Sequence, residues 1–119
     1  MSVTKTSDAP NRDYEVEKEL AYAIRNRRVV RLRYDIDLRD RVFEPYVLFR
    51  EASGRVMVGG RRVLDENDLF KPPAMRQFEV VLINNIEVTE ETFEVDERFD
   101  SRNLALSNEI FESVDRPRE

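Results

Sequence analysis

Apolar and charged residues alternate along residues 29–36 of this chain. One side of the pattern carries Val30, Leu32, Tyr34 and Ile36, and the other carries Val29, Arg31, Arg33 and Asp35. A period of two predicts a half-buried β-strand with its apolar side facing a core. Further strand-like runs follow at residues 41–50 and 55–63, after an acidic turn and a loop containing Gly54. This pattern predicts an antiparallel sheet with arginines on its outer face.

A helical pattern precedes the sheet. Val16, Leu20, Ala23 and Ile24 recur at spacings of four and three, which predicts a helix at about residues 14–27. Asp13 or Asn11 can cap its beginning. After the sheet-forming runs, a long loop is expected at residues 64–74 and a fourth strand at residues 75–82. Residues 83–88 form either a turn or a fifth strand.

The end of the chain changes pattern again. Leu106, Ile110, Phe111 and Val114 form a second helical stripe, and Ser107 can cap it. We therefore expect a short C-terminal helix whose apolar face needs a partner, and we predict a homodimer with this segment at the interface. The expected organisation is a flexible tail at residues 1–12, one domain at residues 13–99, and a helical segment with a tail at residues 100–119.

Proline and glycine interrupt two of the predicted strands. Pro45 cannot donate a backbone hydrogen bond, which predicts an edge position or a bulge. The pair Gly59-Gly60 predicts a sharp bend or a close approach of two backbones. Small β-barrels turn their corners in this way.

Composition excludes several function classes. The chain has no Cys and no His, which removes the commonest general base, thiol chemistry and the usual zinc sites. It has no apolar run near the ~20 residues that span a membrane. We expect a cytoplasmic protein that is not an enzyme, with no cofactor. Asp35, Asp37 and Asp40 could hold a hard cation, but they are more simply explained as turn formers.

Basic residues are concentrated in one region of an acidic chain. The formal net charge is −5, yet residues 25–62 carry 11 Arg against 5 acidic residues, a net of +6. Residues 64–119 carry a net charge of −9. Planar arginine side chains recognise phosphates in a bidentate manner, so this region is a candidate anion-binding surface. The alternative is that these arginines are scattered on the surface and pair with the abundant acids.

The order of these features resembles the WYL domain of bacterial regulators. The matching segments, which together cover residues 15–111, are Leu20-Ala21-Tyr22-Ala23-Ile24, Tyr34, Arg41-Val42-Phe43-Glu44-Pro45-Tyr46-Val47-Leu48, Gly54-Arg55, Arg76-Gln77-Phe78, Ile83, Val88, Phe93 and Arg98-Phe99-Asp100. The Trp-Tyr-Leu that names the family falls on Val56-Met57-Val58 here, and a later family arginine falls on Leu82.

The resemblance implies a mainly β fold with flanking helices, namely a small antiparallel Sm-like or SH3-like β-barrel with an N-terminal helix. It also implies regulation of an attached DNA-binding domain or enzyme in response to nucleotides or nucleic acid. Tyr34, Arg41 and Arg76 match ligand-pocket positions of the family.

Two function hypotheses follow. The first is a WYL-like ligand-sensing module that binds a nucleotide or single-stranded nucleic acid and acts on a regulated partner protein. Its candidate site consists of Tyr34, Arg41, Arg76, Arg31, Arg33, Arg61 and Arg62. The second is a protein–protein interaction or dimerisation module that does not bind nucleic acid. Phosphate binding must weaken steeply as salt rises, whereas apolar docking need not.

Overall fold

The computed structural model describes residues 12–104 and 107–115. In chain order the regular elements are α1 (Tyr14–Asn26), β1 (Arg28–Tyr34), β2 (Arg41–Glu51), β3 (Val56–Asp65), β4 (Ala74–Glu79), β5 (Ile83–Thr92) and β6 (Ser107–Ser113). Short 3₁₀ turns lie at Val80–Leu82 and Ser101–Asn103. The predicted mainly β fold with a leading helix is confirmed. Most of the predicted flexible tail at residues 1–12 lies outside the described residues.

Helix α1 begins and ends as its sequence predicts. The Asp13 carboxylate accepts a hydrogen bond from the Val16 backbone N–H at 3.1 Å, and therefore caps the helix. Leu20, Ala23 and Ile24 are buried against the sheet, so the apolar stripe of the sequence is the packed face. None of the helices within residues 12–104 and 107–115 has the length and apolar character needed to cross a membrane.

All strand pairs are antiparallel, and the sheet has the order β4-β3-β2-β1-β5. Strand β2 is shared, because β1 pairs with its first half and β6 pairs with its second half. Within the described residues no ladder joins β4 to β5, so the sheet is not closed and the predicted barrel is wrong. Only Val80–Leu82 separates these two end strands in the chain, so the sheet curls until its ends come close without pairing.

The predicted C-terminal helix is also wrong, because residues 107–113 form β6. The second half of β2 offers unpaired backbone groups that a strand can satisfy and a helix cannot. Successive residues of β6 then face opposite sides, with Ile110 packing on an outer cluster and Phe111 on the main core. Ile110, Phe111 and Val114 are therefore packed against other parts of the chain, which removes the reason for placing a dimer interface there, while Leu106 lies outside the described residues.

The sheet buries apolar residues on both faces. The inner face and α1 enclose the main core, which includes Val30, Leu32, Phe43, Val58 and Phe78. On the outer face, a smaller cluster of Val47, Phe49 and Met57 is covered by Phe99, Leu104 and Ile110. This two-sided burial explains why four consecutive residues of β2, 46–49, are all buried.

Pro45 and the two glycines form one structural feature. Pro45 pairs with Gly60 and Val47 pairs with Gly59, so Tyr46 is the extra residue of a bulge. A Cβ atom on Gly60 would lie 2.1 Å from the backbone oxygen of Glu44. The predicted bulge and the predicted close approach of two backbones are both confirmed.

Strand β1 is shorter than the alternating pattern predicts. Asp35 has a left-handed backbone with φ of 56°, so the chain leaves the strand after Tyr34. Ile36 is consequently 87% exposed, and its predicted place in the core is wrong.

Candidate anion-binding site

The predicted site residues fall into three groups that the structure keeps distinct. Arg31, Arg33, Arg41 and Tyr34 lie near the β1–β2 turn, Arg62 is buried, and Arg61 and Arg76 lie exposed on β3 and β4. The groups differ in the partners that each guanidinium already has. Those partners decide which arginines are available to a ligand.

The arginines of β1 are paired with carboxylates. Arg31 donates from Nε to Asp40 Oδ2 at 3.1 Å, and its Nη2 donates to Glu66. Arg33 Nε donates to Asp40 Oδ1 at 2.8 Å. The hydrogen bond from Arg33, helped by that from Arg31, holds the pKa of Asp40 below its ordinary value. A phosphate must therefore compete with these carboxylates for both arginines.

Arg41 and Tyr34 form part of the packing beneath the same turn. Arg41 donates two hydrogen bonds to Asp37, at 2.8 and 3.0 Å, in a bidentate ion pair. Its guanidinium lies 5.5 Å from the centre of the Phe78 ring. The Tyr34 hydroxyl accepts a hydrogen bond from the Glu79 N–H at 3.0 Å, and its ring contacts Phe78. Tyr34 and Arg41 are therefore held by contacts with each other and with neighbouring residues, and both are only partly exposed to solvent.

Arg62 is only 1% exposed, because successive strand residues face opposite sides and Arg62 faces the core. Its Nη2 donates to the backbone oxygen of Pro72 at 2.6 Å, while its Nε has no hydrogen-bond partner among the described residues. Asp65, equally buried, accepts two hydrogen bonds from Asn67 on Oδ1. Burial alone would raise the Asp65 pKa, but the Asn67 hydrogen bonds and the charges of Arg41 and Lys71 lower it overall.

Arg61 and Arg76 are the most available of the predicted arginines. The nearest carboxylate to Arg61 is that of Glu44, at 3.9 Å, which is beyond hydrogen-bond distance. Arg76 donates from Nη1 to the Met75 backbone oxygen at 3.0 Å and has no ion pair within the described part of the chain. Arg61 is the direct Cα partner of Met75 on the neighbouring strand. Arg76 is instead the Cα partner of Gly60, so the two arginine side chains leave the sheet on opposite faces, and Arg61 shares its face with Gly59, Met75 and Gln77.

A recess lies beside these arginines. It has a volume of about 450 Å³ and is lined by Val47, Gly59, Gly60, Met75, Arg76, Gln77, Phe99 and Leu104. Ligand pockets in proteins are typically about 300–1,000 Å³ and mainly apolar, with a few polar groups. The sequence analysis missed the contribution of Phe99 and Leu104. The glycine pair was the available signal, because a missing side chain can leave a hollow as well as permit a bend.

Two loops beside the paired arginines carry apolar side chains into solvent. Ile36 and Leu38 lie in the β1–β2 turn, and Leu69 and Phe70 lie in the β3–β4 loop. Phe70 is 98% exposed. Large apolar residues that lie close together on a surface are typical of protein interaction sites. The sequence analysis predicts only a long loop at residues 64–74 and does not single out these apolar side chains.

No carboxylate cluster suited to a metal ion is found in residues 12–104 and 107–115. Asp37 accepts a hydrogen bond from the Tyr34 backbone N–H at 2.9 Å in addition to its ion pair with Arg41. Asp40 binds two arginines. These acidic residues therefore act as turn formers and ion-pair partners.

The fold is that of a small antiparallel β-domain with an N-terminal helix and an open, curled sheet. A similar fold is present in proteasome accessory factor B/C (PafBC) of Arthrobacter aurescens, with a TM-score of 0.59 and 20% sequence identity. The likeness covers 82% of this chain but only 15% of the PafBC chain. At this identity the likeness shows a shared fold alone. No protein-family profile and no curated protein matches the sequence.

Proposed function

We propose that this chain is a WYL-like regulatory module that binds a phosphate-bearing ligand, either a nucleotide or single-stranded nucleic acid, and acts on a partner protein. The observation that carries the proposal is the pair of exposed arginines, Arg61 and Arg76, next to an apolar recess. The resemblance of the sequence to the WYL domain and the likeness of the fold to part of PafBC support the same class. No enzymatic activity is proposed.

Arg61 and Arg76 meet the first requirement of phosphate binding, which is a guanidinium that no carboxylate holds by a hydrogen bond. Arg61 has a long ion pair with Glu44 at 3.9 Å, and Arg76 has no ion pair within the described residues. A guanidinium that is held by a bidentate carboxylate, such as Arg41, must lose that partner before it can bind a phosphate. Single strands suit the arrangement because they can place a base in a recess while their phosphates contact arginines. A duplex hides its bases and could use the phosphate contacts alone.

The arginines of β1 already have carboxylate partners. Arg31 and Arg33 are held by Asp40 and Glu66, carboxylates that occupy the place a phosphate would take. Their contribution to binding is therefore small at neutral pH. The formal net charge of the whole chain is −5, so polyanions are repelled by the molecule as a whole. We expect weak, strongly salt-dependent binding centred on Arg61 and Arg76.

The test is fluorescence anisotropy of a labelled single-stranded oligonucleotide at several salt concentrations. The double variant Arg61→Gln, Arg76→Gln should bind weakly, and its salt slope should fall by about 1.4, since each single-strand phosphate contact contributes about 0.7. The control variant is Arg25→Gln, Arg50→Gln. It removes the same charge from two arginines that are paired with Glu112 and Glu109 of β6, away from the recess. Equal losses in the two variants would mean that net charge alone drives binding.

A second function is favoured by a separate observation, the exposed apolar side chains of Ile36, Leu38, Leu69 and Phe70. An interaction module would bury these side chains against a partner chain or a second copy. Sedimentation velocity of the wild type and of the Leu38→Ser, Phe70→Ser variant tests self-association. A dimer that dissociates in the variant supports this function. A monomer at high micromolar concentration for both proteins excludes the homodimer.

A further inference from the structure

We infer that the recess between β3, β4 and the segment at residues 99–104 binds the base of a single nucleotide, with Gln77 at the edge of the base and Arg61 at the phosphate. This inference rests on the proposed function and names the ligand class and the binding position. It differs from the site that the sequence predicts, because Phe99, Leu104 and Gln77 were not among the predicted residues.

The recess exists because Gly59 has no side chain on the outer face of the sheet. A Cβ atom at this position would lie 3.3 Å from Val47 Cγ1 and 3.6 Å from Gln77 Cγ, two atoms of residues that line the recess. Gly59 does not have a left-handed backbone, so its role is to leave space. Gly60 differs, since its missing side chain allows the backbone of Glu44 to approach.

The walls of the recess are fixed by contacts outside it. The Phe99 ring packs edge-on against Tyr46, with the ring centres 5.0 Å apart. The Tyr46 hydroxyl in turn accepts a hydrogen bond from the Asp96 N–H at 3.0 Å. The Phe99 N–H donates to the Asp96 carbonyl, also at 3.0 Å. The aromatic wall is therefore held in place before a ligand arrives, which lowers the entropic cost of binding.

The chemistry of the lining matches the three parts of a nucleotide. Val47, Met75, Phe99 and Leu104 offer apolar surface to the faces of a base, and a sulfur atom packs well against an aromatic ring. Gln77 offers an amide, which both donates and accepts hydrogen bonds, as the edge of a base does. Arg61 is the Cα partner of Met75, so its exposed side chain lies on the same face of the sheet as the recess and can contact the phosphate at the rim.

An alkyl phosphate would use the apolar wall and the arginine but not the Gln77 amide. A sugar phosphate would use the arginine alone. These two compounds are therefore the probes that separate base recognition from generic anion binding. The inference requires that both bind more weakly than the nucleotide.

The experiment is a titration followed by amide proton–nitrogen correlation spectra, with adenosine monophosphate, ribose 5-phosphate and hexyl phosphate as separate probes. Adenosine monophosphate should shift the amide signals of Gly59, Gly60 and Gln77. Gly59→Val should weaken the binding of adenosine monophosphate roughly tenfold, the loss expected when one base no longer stacks. It should leave the binding of ribose 5-phosphate unchanged. Ala52→Val adds the same bulk in the exposed β2–β3 hairpin and should bind like the wild type.

Gln77→Met is a second variant that keeps the fold, because Gln77 is exposed and Met has a similar volume. It should weaken the binding of adenosine monophosphate several-fold without affecting the binding of ribose 5-phosphate. Equal affinities for the nucleotide and either control compound, or unchanged nucleotide binding by both variants, would overturn the base site while leaving phosphate binding intact. Failure of all three compounds and of the oligonucleotide to bind would instead overturn the proposed function.

Discussion

Asn67 binds the backbone of Arg39 through both ends of its side-chain amide. Its Nδ2 donates to the Arg39 carbonyl at 2.9 Å, and its Oδ1 accepts from the Arg39 N–H at 3.0 Å. The same Oδ1 accepts from the Leu38 N–H at 3.2 Å. One side chain therefore joins the β1–β2 turn to the β3–β4 loop, two segments that contain the carboxylates of Asp40 and Glu66.

Replacing Asn67 with Ala should loosen both loops. Three backbone groups of Leu38 and Arg39 would lose their hydrogen-bond partner, and a typical hydrogen bond contributes about 0.5–1.5 kcal/mol to stability. We expect a decrease of at least ~1 kcal/mol in the free energy of unfolding by urea, with faster hydrogen exchange at Leu38 and Arg39. Asn85→Ala, at an exposed position of β5, is the control and should leave both unchanged. Identical unfolding curves for the two variants would contradict the role of Asn67.

The two adjacent glycines should respond differently to the same substitution. Gly60→Ala would place Cβ 2.1 Å from a backbone oxygen that cannot move away alone, so the bulge at Tyr46 must break. We expect the Gly60→Ala variant either to unfold or to lose roughly 1–3 kcal/mol of stability or more. Gly59→Ala meets only side-chain atoms, the nearest at 3.3 Å, and should melt close to the wild type. Circular dichroism melting curves of the two variants test this difference, and similar melting temperatures would contradict the close approach of Gly60 to the Glu44 backbone oxygen.

The buried arginine offers a test of stability. Arg62→Ala leaves a cavity and frees the Pro72 carbonyl, and we expect it to cost about 2–5 kcal/mol. Arg62→Met fills the same volume without a charge whose Nε has no partner among the described residues. Replacing buried charges with apolar side chains of similar size is often neutral or stabilising, so Arg62→Met should match or exceed the wild type. Equal losses for both variants in urea unfolding would show that the guanidinium itself stabilises the fold.

Asp65 should make stability depend on acid pH. Burial opposes its ionisation, but the Asn67 hydrogen bonds and the nearby positive charges lower its folded pKa below the ordinary value. A group with a lowered folded pKa stabilises the protein fully above its unfolded pKa of about 3.9, and this stabilisation disappears as pH falls through the folded value. The melting temperature of Asp65→Asn should therefore fall less than that of the wild type between about pH 6 and pH 3. Parallel pH curves would contradict the assignment.

Neutralising the competing carboxylates should make more arginines available. In Asp40→Asn, Glu66→Gln the side chains of Arg31 and Arg33 lose their charged partners, and affinity for a single-stranded oligonucleotide at low salt should rise, with a steeper salt slope. The control Glu15→Gln, Glu19→Gln changes the net charge equally on the exposed side of α1. Equal gains in both variants would show a general charge effect and leave Arg31 and Arg33 outside the site.

Local chemistry was sufficient to predict much of the fold. The helical spacing and the Asp13 cap predict α1 to within a residue of its observed bounds, Tyr14–Asn26. Period-two alternation predicts β1, strand-like runs predict β2 and β3, and Gly54, with φ of 96°, closes the hairpin as expected. These features depend on residues within a few positions of one another, so their physics is present in the sequence alone.

The candidate site depended on contacts between distant parts of the chain. The alternation correctly places Arg31 and Arg33 on one side of β1. Their shared partner Asp40, however, lies at the far end of the β1–β2 turn, and the second partner of Arg31, Glu66, lies in the β3–β4 loop. Sequence alone therefore could not tell a free arginine from a neutralised one. Among the predicted site arginines in the described residues, Arg41 alone has an ion-pair partner, Asp37, only four residues away in the sequence.

Short-range periodicity and composition are enough to predict the helix, the strands of the first hairpins and the concentration of arginine. The tertiary structure makes residues 107–113 a strand, since the open half of β2 supplies hydrogen bonds that outweigh a weak helical pattern. It also decided that Arg62 is buried and Arg61 exposed, because a β-strand turns adjacent residues to opposite faces and only the fold shows which face is covered.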